Sequence, residues 1–337
     1  MHVPVPIFVL GVFCEYKTGI HIQHAKPGFR IRGNHKYHSG EEWQMLIGAI
    51  EAGGTKFVCG IGNEEGTILD RISFPTEQPE KTLEQTIRYF QDKKVEAIGI
   101  GSFGPIDLDP SSPNYGHVTT TPKPGWSGFD FLGTMKDAFP VPIGWDTDVN
   151  AAALGEARWG AAKGLDSCVY YTIGTGVGVG VYAEGKLVHG LVHPEGGHVP
   201  LRRHPDDPFE GWCPYHKDCL EGLAAGPSLE KRWGKKGSEL PADHPAWELE
   251  AYYIGQAVAG AILMLSPKKV ILGGGVMHQQ QLFPLIRAQV QRLLNGYVKA
   301  DAITKHIDQY IVPPGLGDNA GLCGALALGL DAAAASG

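Results

Sequence analysis

From Leu46 onward the chain alternates short apolar runs with turn residues. "LIGAIEAG", "KFVCGIG" and "TILDRISF" are each bounded by Gly or acidic residues. That pattern predicts two successive hairpins, an antiparallel meander. "TLEQTIRYFQDK" then places Leu83, Ile87 and Phe90 at helical spacing. "VEAIGIGSFGP" reads as a buried strand ending in a Gly-Pro loop, and residues 104–130, rich in Pro, Gly, Ser and Thr, as a long loop of the functional kind. "VPIGWDTDVNAAALGEARWG" is a strand entering a helix, after which the meander restarts at "CVYYTIGTGVGVGVYAEGKLVHG". A second meander after a helix predicts two similar α/β lobes with a ligand between them.

Residues 1–45 follow a different pattern. "MHVPVPIFVLGVFCEYK" has a short apolar stretch without a basic start or a small-residue cleavage site, so it makes a poor signal peptide. The following residues carry His and basic side chains with no apolar periodicity, and no packed element is expected there. The segment reads as a disordered extension, or as translation begun upstream of a natural start at Met45.

Length and charge narrow the function. A chain of 337 residues suits two domains of about 150 residues. A net charge of −7 gives no basic footprint for nucleic acid, and no apolar run reaches the roughly eighteen residues a membrane span needs. Of the six cysteines, Cys14, Cys59, Cys168 and Cys323 stand alone. They read as reduced thiols of an intracellular, cytoplasmic protein.

Four glycine-centred segments carry phosphate chemistry. "EAGGTK" sits in a tight turn between predicted strands, where Gly53 and Gly54 let backbone N–H groups approach phosphate oxygens and Thr55 and Lys56 add a hydroxyl and a charge. "IGTGVGVG", with Gly174, Thr175 and Gly176, is the same device at the start of the second lobe. "ILGGGVM", with Gly274 and Gly275, ends a buried strand and suits a nucleoside. "GDNAGLCGALALG" leads a turn into a small-residue helix. Singly each is only a turn. Their repetition at equivalent places in two lobes points to a nucleoside triphosphate.

"EAGGTK", "DTDVNAAALGE", "IGTGVGVG", "HPEGGH" and "CPYHKDCLEG" occur in one order, and together they resemble the ROK family of sugar kinases and sugar-responsive repressors. The resemblance covers Leu46 to about Leu330 and is greatest to the family's bacterial fructokinases. It implies two RNase H-like lobes of the actin/hexokinase-like ATPase fold, with the active site in the cleft between them and a zinc-binding loop. The expected division is an N-terminal lobe over 46–163, a C-terminal lobe over 164–316, and a C-terminal helix over 317–332 returning to the first lobe. ATP, magnesium and a homodimer are implied with it.

His198, Cys213, His216 and Cys219 form H-x14-C-x2-H-x2-C. Two thiolates and two imidazoles fill zinc's tetrahedral preference and leave no room for water, so the metal is expected to be structural. His204 is the spare histidine, expected to be solvated. Asp148, between a predicted strand and helix, matches the family's catalytic aspartate and would take the hydroxyl proton; the plain alternative is a helix N-cap. Asp146 could compete for either role. Glu195, His198 and Glu221 resemble the family's hexose ligands, with Gly104 and "TTTPKPGW" forming a sugar loop. Glu51 stands where many members have Asp, which weakens the case for a direct magnesium contact. Thr147 replaces the Asn of glucose-directed members and favours a ketose.

The expected activity is phosphorylation of a hexose by ATP, D-fructose at its 6-hydroxyl. Kinases for glucose, mannose or N-acetylmannosamine are the alternatives. A sugar-sensing repressor is the rival of another class, and it would need a helix-turn-helix before Leu46, for which residues 1–45 carry no pattern.

Overall fold

The computed structural model describes residues 45–337; the expectations for residues 1–44 lie outside the described residues. The first lobe opens with the meander the alternation predicts: β1 (Ile47–Ala52), β2 (Lys56–Gly62) and β3 (Ile68–Pro75) pair antiparallel. Helix α1 (Pro79–Phe90) starts ahead of its periodic stretch, because Pro79 supplies the fixed φ of a first helical turn. Then come β4 (Ala97–Ser102), α2 (Phe131–Ala138) and β5 (Ile143–Thr147), and the sheet order is β3-β2-β1-β4-β5 with β1, β4 and β5 parallel. Helix α3 (Asp148–Arg158) follows β5 with no intervening loop.

The second lobe repeats the scheme. Strands β6 (Cys168–Ile173), β7 (Val177–Ala183) and β8 (Lys186–Leu187) form its meander. After them come α4 (Leu220–Ala224), α5 (Gly226–Trp233), α6 (Ala246–Leu265), β9 (Val270–Gly273), α7 (Leu282–Leu294), α8 (Asp301–Thr304), α9 (Ile307–Tyr310) and β10 (Ile311–Val312). The order β10-β9-β6-β7-β8, with β6, β9 and β10 parallel, matches the first sheet strand for strand. Each lobe has its own apolar core. Phe57, Trp126 and Phe131 lie at the centre of one, and Trp247, Tyr253 and Ile286 at the centre of the other.

The lobes exchange their last helices. α3 leaves the first sheet and packs on β6 and β7, while α10 (Ala320–Ser336) packs on β1, β4 and β5 of the first. The two helices also lie against each other, and a Cβ on Gly324 would overlap the Ala151 carbonyl, so only glycine permits that approach. Buried Glu156 at the end of α3 accepts from the N–H groups of Ala161, Gly315 and Leu316, at 2.6 to 2.9 Å. One carboxylate therefore joins both segments where the chain passes between lobes.

Residues 104–130 are the long loop the composition predicts, yet they are well anchored. Ile106 bridges Val118, and fully buried Trp126 donates its indole N–H to the Glu77 carbonyl at 2.8 Å. No helix among the described residues is long and apolar enough to cross a membrane.

Candidate active site and metal centre

The two glycine turns occupy equivalent positions after β1 and β6. In the first, Gly53 N–H donates to the Lys56 carbonyl at 3.0 Å, and the Thr76 hydroxyl donates to the Gly53 carbonyl at 2.7 Å. Lys123, from the long loop, brings its Cε within 3.6 Å of the point a Cβ on Gly54 would take. In the second, Gly174 N–H donates to Gly176 at 2.9 Å, and its carbonyl accepts from Gly226 at the start of α5. Gly174, Thr175 and Gly275 share a cavity of about 430 Å³ with Lys236, Trp247 and Gln279. Gly274, at φ +89°, turns the chain against Ile173 where a side chain would clash. Gly176 faces elsewhere: a Cβ there would meet Glu221 Oε2 at 2.7 Å. Lys236, Trp247 and Gln279 have no sequence signature, since they enter the cavity only through the packing of α5 and α6.

At the β5–α3 junction the N-cap is Thr147, not Asp148. The Thr147 hydroxyl oxygen accepts from Asn150 N–H at 3.1 Å, and the residue is 2% exposed. Its proton and second lone pair stay available to a ligand. Asp148, half-buried, accepts from Val149 N–H at 2.9 Å. Burial first, then the charges of Glu51 and Glu195, push its carboxyl up to about 7. Glu195 is raised in turn by burial and by Glu221, whose Oε2 accepts from Val177 N–H at 3.0 Å. Glu51 is raised by burial, countered by Lys56 and reinforced by Asp318. It has no ion-pair partner among the described residues. The expected base and the expected sugar carboxylates thus form one electrostatically linked acidic group.

Asp146 is more than a local turn acid. It is 2% exposed; its Oδ1 accepts from Thr147 N–H (2.7 Å) and Asn150 Nδ2 (2.8 Å), and its Oδ2 lies 2.7 Å from His189 Nε2. His193, also buried, accepts from Ile106 N–H through Nε2 at 3.1 Å and sets Nδ1 3.4 Å from Glu195 Oε1. A Cβ on Gly104 would meet its ring at 3.2 Å, so glycine there lets the sugar loop and the second lobe meet. Neither contact was legible in the sequence: His189 belongs to no motif, and His193, although it opens "HPEGGH", meets Ile106 across 87 positions.

His198, Cys213, His216 and Cys219 converge, with all four ligand atoms within 4.8 Å of one another. His198 Nδ1 lies 3.7 Å from Cys213 Sγ and 3.6 Å from Cys219 Sγ, and His216 Nδ1 lies 3.7 Å from Cys213 Sγ. Zn–S and Zn–N bonds of about 2.3 and 2.1 Å give tetrahedral edges of about 3.3–3.8 Å, so the donor set fits zinc. The loop holding it is braced by Asp207, which pairs with Arg232 at 3.3 Å and accepts from the Tyr253 hydroxyl at 2.6 Å. His204 is no ligand and is not freely solvated: it packs edge-on against Tyr252, and its N–H donates to the Tyr253 oxygen.

The duplicated lobes, exchanged helices and paired glycine turns define an actin/hexokinase-like ATPase fold. The ROK family profile matches residues 47–332, and the chain belongs to the ROK family. It is 56% identical over 295 residues to a putative fructokinase of Bacillus subtilis (strain 168), covering 87% of this chain and 99% of that one. It is 52% identical to a fructokinase of Pediococcus pentosaceus, over 84% of this chain and 97% of the relative. A ROK family glucokinase from Streptomyces griseus, solved with glucose and AMPPNP, superposes with a TM-score of 0.68 at 25% identity, covering 85% of this chain and 99% of that one.

Proposed function

We infer that this chain is an ATP-dependent fructokinase that phosphorylates D-fructose on its 6-hydroxyl. Asp148 carries the reading. It is a half-buried carboxyl held at about 7, at the junction of a parallel strand and an inter-lobe helix, where a general base needs to be poised. The sugar is named from the fructokinase relatives at 56% and 52% identity.

In the reaction the 6-hydroxyl oxygen forms a bond to the γ-phosphorus, the bond from that phosphorus to the β–γ bridging oxygen breaks, and ADP leaves. Asp148 receives the hydroxyl proton. Gly104, Thr147, Glu195, His198 and Glu221 would hold the sugar, each carboxylate accepting from hydroxyl groups. The turns at Gly53–Lys56 and Gly174–Gly176, with Gly274 and Gly275, would hold ATP through backbone N–H groups. Glu51 and Asp318 add negative charge at this end of the cleft, which suits a magnesium–nucleotide; bound there, magnesium would offset phosphate charge. Zinc on His198, Cys213, His216 and Cys219 would fix the loop that presents Glu195 and Glu221. A cytoplasmic homodimer completes the reading, with sedimentation as its check.

A coupled assay with ATP and a sugar panel tests the activity. Fructose should exceed glucose, mannose and N-acetylmannosamine in kcat/KM by at least about tenfold. Preference for another hexose would change the substrate and keep the class. No turnover of any sugar, with sugar-dependent retention of DNA in a gel shift, would favour the repressor.

A further inference from the structure

After β8 the chain runs from Val188 to Glu195 and touches the first lobe at two points. Val188 N–H still pairs with the Val181 carbonyl at 2.9 Å, so the segment leaves a fixed base. One residue on, His189 meets Asp146; four residues later, His193 takes the Ile106 N–H. Between them Gly190 N–H closes a tight turn on the Val192 carbonyl at 3.0 Å. His189 therefore sits over residue 146, two positions before Asp148, while His193 on the same segment reaches the loop at Gly104–Ile106. That is the sugar side of the cleft.

The protonation of the pair follows from its partners. Asp146 Oδ1 already accepts from Thr147 and Asn150, and an ionised carboxylate can only accept. His189 Nε2, 2.7 Å from Oδ2, must carry the shared proton. The same bond raises the imidazole above its ordinary value, so Nδ1 is a bare acceptor in the neutral ring and an N–H donor in the protonated one. Nδ1 has no protein partner among the described residues, and the side chain is 45% exposed while Asp146 beneath it is 3% exposed. A ring fixed at one nitrogen and open at the other presents one hydrogen-bonding atom in one place. Hydroxyl groups fit it in either state, since they both donate and accept.

We propose that His189 is a substrate-contacting, specificity-determining residue, oriented by Asp146 so that Nδ1 makes a hydrogen bond with one hydroxyl of the bound hexose. This rests on the fructokinase reading. His189 need not take the transferred proton, which goes to Asp148; it selects which sugar presents a hydroxyl at that point. A site built to bond a hydroxyl discriminates strongly against an analogue that lacks it, because the polar group is left unpaired.

His189→Ala and His189→Gln separate this role from a plain tie between lobes. Gln keeps an amide N–H for Asp146 and removes Nδ1. Steady-state kinetics with fructose, 1-deoxyfructose, 2,5-anhydromannitol and other single-deoxy analogues provide the readout. Both variants should raise KM for fructose by about 10- to 100-fold, leave KM for ATP within about twofold, and melt close to wild type. For one analogue, the one lacking the bonded hydroxyl, the substitutions should leave kcat/KM unchanged. Wild-type turnover of fructose in the same assay checks the underlying reading separately. A His189→Gln enzyme indistinguishable from wild type would overturn the proposal, leaving the ring a tie. So would losses equal for fructose and every analogue, or an equal rise in KM for ATP.

Discussion

A carboxylic acid near its ordinary value of about 4 is a weak base at neutral pH, and Asp148 is brought to about 7 by its surroundings. Burial is the first cause and the charges of Glu51 and Glu195 follow, so the proposed base would owe its strength to groups from three separate segments. Asp148→Asn keeps the shape and removes only the basic oxygen. Turnover should fall by at least about 10²-fold with KM for fructose and ATP little changed, measured by steady-state kinetics. The pH profile of wild-type kcat/KM should show an acid limb centred near 7. The same shift sets the stability. The folded value lies above the unfolded one, so the fold binds this proton more tightly. That contribution is complete below the unfolded value and is lost as pH rises through about 7. Asp148→Asn should therefore melt about 2–6 °C above wild type at pH 8, with a smaller gap at pH 5. An equal or lower melting temperature at pH 8 would mean that the ionised carboxyl is not under strain. Asp146→Asn is unsuited as a silent control, because Asp146 is buried and bonded to His189.

At the scale of elements the loop carrying the Cys/His cluster is the part that regular structure explains least. Between β8 and α4 the chain forms only one short 3-10 turn, Gly196–His198, and its shape depends on Asp207, Arg232 and the Cys/His cluster. A closed four-ligand metal adds its binding free energy to folding. Removal by a strong chelator, or Cys213→Ser, should lower the melting temperature and raise KM for fructose several-fold, with KM for ATP within about twofold. Turnover lost at unchanged melting temperature and unchanged sugar affinity would contradict a structural metal. The cluster was legible because its spacing is local and the chemistry of zinc is narrow. The meanders and glycine turns were legible for the same local reasons. The contacts from His189 to Asp146 and from His193 to Ile106 were not, since they join residues 43 and 87 positions apart and no local pattern shows which partner each histidine meets. Thr147 was misjudged in emphasis. Its hydroxyl answers first to the helix N-terminus beneath it, a demand visible only once β5 is seen to run straight into α3.

At the scale of the whole molecule, both lobes are built from the described residues. Ile47 is fully buried in β1, the central strand of its sheet, and the Leu46 carbonyl accepts from Glu96 N–H at 2.8 Å. Met45 packs against the cluster formed by Leu322 and Leu326 of α10. The family match begins at residue 47, and the Bacillus subtilis relative is covered over 99% of its length by 87% of this chain. The described residues, from Met45 onward, supply the two lobes, the exchanged helices and the acidic cleft. A chain beginning at Met45 should keep kcat/KM for fructose within about twofold and its melting temperature within about 2 °C of the 337-residue chain. Melting scans and the coupled assay on both chains decide it. If the shorter chain aggregates or loses turnover, residues 1–44 contribute to the working enzyme, and folding would not start at Leu46. If it melts like the longer chain while KM for the sugar alone changes, those residues act at the cleft rather than on the fold.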